Sequence, residues 1–200
     1  MHAVFSGSYG NRTGTNSYWS TYDFTRDEFN KDKSEGKLWK SMGKVPFLEV
    51  DNKLISQSKA IERYLANRYG FMGKNFEEFG LVDCYCEYLR DFKTAYHKEK
   101  SKPNREEAMD NWFNNLLVKK LKDLNSIISN NGENNSGFSV GDKLSLADIS
   151  IYVFLVEFFD NKDGVLLAYQ NCEKLKNIVK TVENDSKIAD WLKNRPEGSY

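Results

Sequence analysis

The spacing of apolar residues changes character near residue 58. Before it they come in short runs closed by turn residues; after it they recur every three or four positions. Ala3–Phe5 is a short apolar run, and Tyr18–Phe24 is aromatic and alternating, so both are expected to be strands. Phe47–Val50 and Lys53–Ile55 flank Asp51-Asn52, a turn pair that tolerates positive φ, which predicts a β-hairpin. Ser58–Tyr69 carries Ala60, Ile61, Tyr64 and Leu65 at helical spacing, with Gly70 as its stop.

From there the pattern is helical almost to the end. Asn75–Lys98 holds Phe79, Val82, Tyr85, Leu89 and Phe92 on one face, and Glu106–Ser129 holds Trp112, Leu116, Leu117, Leu121 and Leu124. Ser145–Phe159 is apolar nearly all round, which predicts the buried centre of a helical domain. Shorter helices follow near Cys172–Val182 and Ser186–Lys193, with Trp191 as an anchor. The expected organisation is an α/β domain over residues 1–71, a linker at Gly70–Gly73, and an all-helical domain over residues 75–200.

Composition narrows the function classes. The 200 residues are 40% hydrophobic, enough to bury one large core or two small ones. With 29 basic and 29 acidic residues the formal net charge is zero, so there is no strong basic field for nucleic acid or anionic lipid. Lys98, Lys100 and Lys102, beside Glu99, read as a solvated face. There are three cysteines, Cys84, Cys86 and Cys172. The first two stand two apart on a helix and so face different ways, and His2 and His97 are isolated, so no metal site is expected. Reduced thiols, no membrane-length apolar run and no signal-peptide core at Met1–Gly10 together suggest a cytoplasmic protein.

The hairpin has chemistry at its edge. Pro46 cannot donate to a ladder and belongs at a strand start. If the Val45–Pro46 bond is cis, the Val45 backbone turns outward and its N–H and C=O can pair with an extended ligand. Gln57 and Ser58 open the next helix, where a hydroxyl, an amide and free N–H groups at the positive end of the dipole suit a carboxylate. Such an edge fits an α-amino-acid end joined to a peptide backbone.

The same residues carry a family resemblance. Gly43-Lys44-Val45-Pro46-Phe47-Leu48-Glu49-Val50-Asp51, then Ser56-Gln57-Ser58-Lys59-Ala60-Ile61-Glu62-Arg63-Tyr64-Leu65, is similar to the cytosolic glutathione S-transferases, nearest their sigma, alpha and mu branches. Leu144-Ser145-Leu146-Ala147-Asp148 resembles that family's buried helix cap. Leu81-Val82-Asp83 with Asp91-Phe92, and Asp190-Trp191-Leu192 with Asn194-Arg195-Pro196, resemble other parts of its helical domain. The resemblance covers roughly residues 20–200. It implies a thioredoxin-like α/β domain followed by an all-α domain, glutathione as co-substrate, a small electrophile as partner, a detoxification role and a homodimer. It assigns Lys37, Trp39, Lys44, Val45, Pro46, Gln57 and Ser58 to glutathione, with Asp91 reaching the glutamyl amine across the dimer. Tyr96, Trp112 and Tyr200 are candidates for the electrophile pocket.

The family's thiolate donor is a tyrosine in a segment reading Tyr-Phe-x-x-Arg-Gly-Arg. The nearest segment here is Ser8-Tyr9-Gly10-Asn11-Arg12-Thr13-Gly14, which makes Tyr9 the candidate catalytic residue, with Ser6 or Ser8 as alternatives. A parallel strand pair needs a crossover of about a dozen residues or more, usually helical. Only 12 residues, rich in Gly, Ser, Thr and Asn, separate Phe5 from Tyr18. A shortened or rebuilt first βαβ unit is therefore expected. That leaves two further readings open: a non-catalytic glutathione-binding relative, or an interaction module of the same fold.

Overall fold

The computed structural model describes the backbone of residues 2–7, 19–51, 53–131 and 137–195. Two compact units emerge, Met1–Leu65 and Ala66–Arg195, and the division falls inside a helix. The first is a four-stranded sheet of β1 (His2–Gly7), β2 (Trp19–Phe24), β3 (Phe47–Val50) and β4 (Lys53–Ser56), in the order β2-β1-β3-β4. Helix α1 (Arg26–Ser34) follows β2, a 3₁₀ turn spans Trp39–Ser41, and α2 (Ser58–Tyr69) follows β4.

The rebuilt start is visible in the strand directions. β1 pairs antiparallel with β2, from His2 opposite Phe24 to Gly7 opposite Trp19. An antiparallel pair requires no helical crossover, so a short polar connection suffices. The apolar spacing of the sequence gives no sign of α1; its signal is the Thr25-Arg26-Asp27-Glu28 capping box. The Thr25 hydroxyl accepts from the Glu28 N–H at 3.2 Å and the Glu28 carboxylate accepts from the Thr25 N–H at 2.8 Å. The β3–β4 hairpin turns at Asp51, whose φ of 48° is the left-handed value such a turn needs. Leu48, Val50 and Ile61 are buried, with Ile55, Tyr64 and Leu65 packed against them, and this small core fixes α2 on the hairpin.

Among its described residues the second unit's regular elements are helices: α3 (Phe76–Lys100), α4 (Arg105–Asn111), α5 (Leu117–Asn131), α6 (Leu146–Tyr152), α7 (Lys162–Tyr169), α8 (Glu173–Glu183) and α9 (Ser186–Asn194). Two expected single helices carry a widened turn. A π segment at Trp112–Leu116 joins α4 to α5, and another at Val153–Glu157 continues α6. Trp112, Tyr85, Phe92, Phe154 and Phe159 are the largest fully buried side chains of one contiguous core.

The start of α6 shows why its cap is polar and buried at once. Ser145 and Asp148 are 2% and 0% exposed. Asp148 accepts from the Ser145 N–H at 2.8 Å, the Ser145 hydroxyl at 2.7 Å and the Ser139 N–H. The helix end would otherwise leave buried donors without acceptors.

Candidate functional site

The hairpin register builds the site. Phe47 stands opposite Ser56 as the last pair of the β3–β4 ladder. Val45 and Pro46 lead into that pair and Gln57 and Ser58 follow it, so the four residues lie at the open end of the hairpin. The Val45–Pro46 peptide bond is cis. Val45 and Pro46 are half-buried, while Lys44, Gln57 and Ser58 are exposed.

Gln57 is held in the left-handed region, with φ of 75°. For a residue with a side chain this costs on the order of 1–3 kcal/mol, and it persists where surrounding structure enforces it. Here the Gln57 carbonyl accepts the first helical bond, from the Ile61 N–H at 3.0 Å. The N–H groups of Ser58, Lys59 and Ala60 then have no acceptor within the helix, and they carry the positive end of its dipole. A carboxylate is the natural complement of that end.

The turn before Pro46 presents the other candidates. Met42 and Gly43 are both left-handed, at φ of 57° and 67°, and the Gly43 N–H returns to the Leu38 carbonyl at 2.8 Å. Trp39 projects from this turn, 73% exposed, with the Lys40 ammonium 5.7 Å from its ring. Lys37 lies just before it. Its ammonium is bound by Glu35 and Asp32, and those bonds raise its pKa. Met42, 64% exposed, belongs to the same turn. It has no signature in sequence because irregular turns have no apolar period.

The remaining candidates belong to the second unit or lie outside the described residues. Asp91 is on the exposed side of α3, in the second unit. Tyr96 and Trp112 are 5% and 0% exposed in the aromatic core, their rings 5.6 Å apart. Ser8, Tyr9 and Tyr200 lie outside the described residues. β1 itself is described to its last residue, Gly7. Phe5 pairs with Leu48 and Ser6 with Glu49 in parallel, so by continuation Gly7 is level with Val50.

Two family models match the chain. The glutathione S-transferase C-terminal domain covers residues 88–195 and the glutathione S-transferase N-terminal domain covers residues 20–67. Glutathione S-transferase 3 of Caenorhabditis elegans is 29% identical over 183 residues, covering 89% of this chain and 87% of the relative. Hematopoietic prostaglandin D synthase of Gallus gallus is 28% identical over 177 residues, 85% of each. Among solved structures, a glutathione S-transferase of the hookworm Necator americanus, described as monomeric, aligns over 100% of both chains with a TM-score of 0.73 at 22% identity. That likeness establishes the thioredoxin-like and all-helical architecture. The C-terminal model alone spans more than half of the 200 residues, and the chain belongs to the glutathione S-transferase family.

Proposed function

We propose that this chain conjugates the thiolate of glutathione to small electrophiles, in the manner of a detoxifying transferase. The observation that carries the reading is the meeting of Val45, Gln57 and Ser58 at one end of the hairpin. In this reading the Val45 N–H and C=O pair with the cysteinyl backbone of glutathione. The Ser58 hydroxyl and the open N–H groups of α2 take the glutamyl carboxylate, with the Gln57 amide beside them. Lys44, and Trp39 with Lys37 in the preceding turn, hold the glycine end. Lys37 would have to exchange Glu35 or Asp32 for the ligand.

The chemistry needs a thiolate. A free thiol has a pKa near 8.5, so only a few per cent ionises at neutral pH. A hydroxyl donating to the sulfur stabilises the charged form and lowers that pKa. Tyr9 is the proposed donor. The test pairs glutathione binding by calorimetry with conjugation of an activated chloronitrobenzene, on wild type, Ser58→Ala and Tyr9→Phe. Ser58→Ala is expected to raise KM for glutathione about tenfold, the loss of one charge-assisted bond. Tyr9→Phe is expected to leave binding intact and lower kcat. Equal turnover by Tyr9→Phe removes Tyr9 from the mechanism, and binding without turnover by wild type leaves a glutathione-binding protein rather than an enzyme. A homodimer in the cytoplasm, with Asp91 completing the partner's site, belongs to the same proposal.

A further inference from the structure

A cleft of about 580 Å³ opens inside the helical unit, between the C-terminal end of α3, the α4 rod and the start of α7. That size suits a small molecule. Its floor is apolar: Met109 from α4, Phe113 from the first π segment, Leu167 from α7, and Tyr96 beneath. Leu167 is 61% exposed, so a ligand seated there would cover apolar surface now in water.

The walls carry Lys100 and Arg105 against Asp110, Asp160 and Asp163. Lys100 is already committed. Its ammonium donates to Asp160 at 2.9 Å and lies 5.5 Å from the Tyr96 ring centroid. The lining carries two basic and three acidic side chains, so the surplus charge is negative.

The backbone supplies an independent observation. Phe113 and Asn114 belong to the π segment Trp112–Leu116, and the second π segment, Val153–Glu157, ends three residues before Asp160. Widened turns are rare in helices and occur disproportionately at functional sites. Here the first lines the cleft through Phe113 and Asn114.

We infer that this cleft binds a small organic cation, an aromatic or aliphatic body bearing a protonated amine, independently of the glutathione edge. The body covers Met109, Phe113 and Leu167, and the amine lies between the Asp110 and Asp163 carboxylates. Arg105 limits the charge the cleft accepts and sets its selectivity.

The test uses the intact protein with acridine orange as the cationic probe and anilinonaphthalene sulfonate as the anionic one, both followed by fluorescence. One acridine orange per chain is expected to bind saturably and to bind equally well with glutathione at saturation. Asp110→Asn with Asp163→Asn is expected to weaken it about three- to tenfold, as losing two exposed charge contacts allows. Leu167→Ser is expected to weaken it severalfold, and Arg105→Gln to tighten it. These exposed positions leave helical circular dichroism and conjugation unchanged. The proposal is overturned by an absence of saturable binding, by an affinity indifferent to Asp110, Asp163 and Leu167, or by displacement with glutathione. A preference for the anionic probe that Arg105→Gln abolishes overturns it as well.

Discussion

At the scale of single residues, Gln57 combines two opposing demands. Its left-handed backbone is a cost that glycine would not bear, while its amide stands at the proposed carboxylate site. Gln57→Gly is therefore expected to keep or raise stability by up to about 1 kcal/mol in denaturant unfolding, while raising KM for glutathione. A fall in stability of that size would show that the side chain, not the backbone, sustains the helix start. Asp148 makes no such compromise. Asp148→Ala would leave the Ser139 and Ser145 N–H groups buried without an acceptor, at a cost of about 3–5 kcal/mol measured as a shift in urea midpoint. The cysteines separate by environment. Cys84 is exposed, whereas Cys172 is buried and burial raises its thiol pKa. A raised folded pKa keeps the native thiol protonated to higher pH than the unfolded one, so stability is lost as pH rises beyond about 8.5 through the folded value. Thiol reagents at pH 8 are expected to modify Cys84 in the native protein and Cys172 only after unfolding, as peptide mapping would show.

At the scale of elements, the hairpin and α2 were legible because each is a local pattern: alternation, a turn pair, then a helical face. α3, α8 and α9 were legible for the same reason. The helix α7 was not, since its start is a side-chain cap, Asn161 accepting from the Gly164 N–H at 2.9 Å, within an irregular stretch. The π segments were invisible because a widened turn keeps the apolar face continuous and changes only the hydrogen-bond step. The direction of β1 could not be read either; strand polarity is settled by pairing, and Ala3–Phe5 fits a parallel or an antiparallel neighbour equally well. The candidate edge was readable in its residues but not in the φ of Gln57, which only geometry reveals. Close approach between elements also has a measurable consequence at Gly137. A Cβ there would stand 2.3 Å from the Thr181 Oγ1 on α8. Gly137→Ala is expected to destabilise by about 1–3 kcal/mol, and adding Thr181→Ala is expected to recover most of it in a double-mutant cycle.

At the scale of the whole molecule, the assembly state decides one assignment. In the proposed function Asp91 serves glutathione from a second copy, so light scattering should give about twice the 23.2 kDa of the chain. A mass of one chain would withdraw Asp91 from the proposed site. The continuity of the binding edge has a practical side too. Val45 to Ser58 is a single hairpin and helix start, and Tyr9 lies far upstream in the chain. In the proposed function, glutathione resin is therefore expected to retain any preparation in which that edge is formed, with or without the Tyr9 hydroxyl. Yield from such a column measures folded ligand edge, and specific activity per mole retained is the quantity that reports how many molecules can turn over.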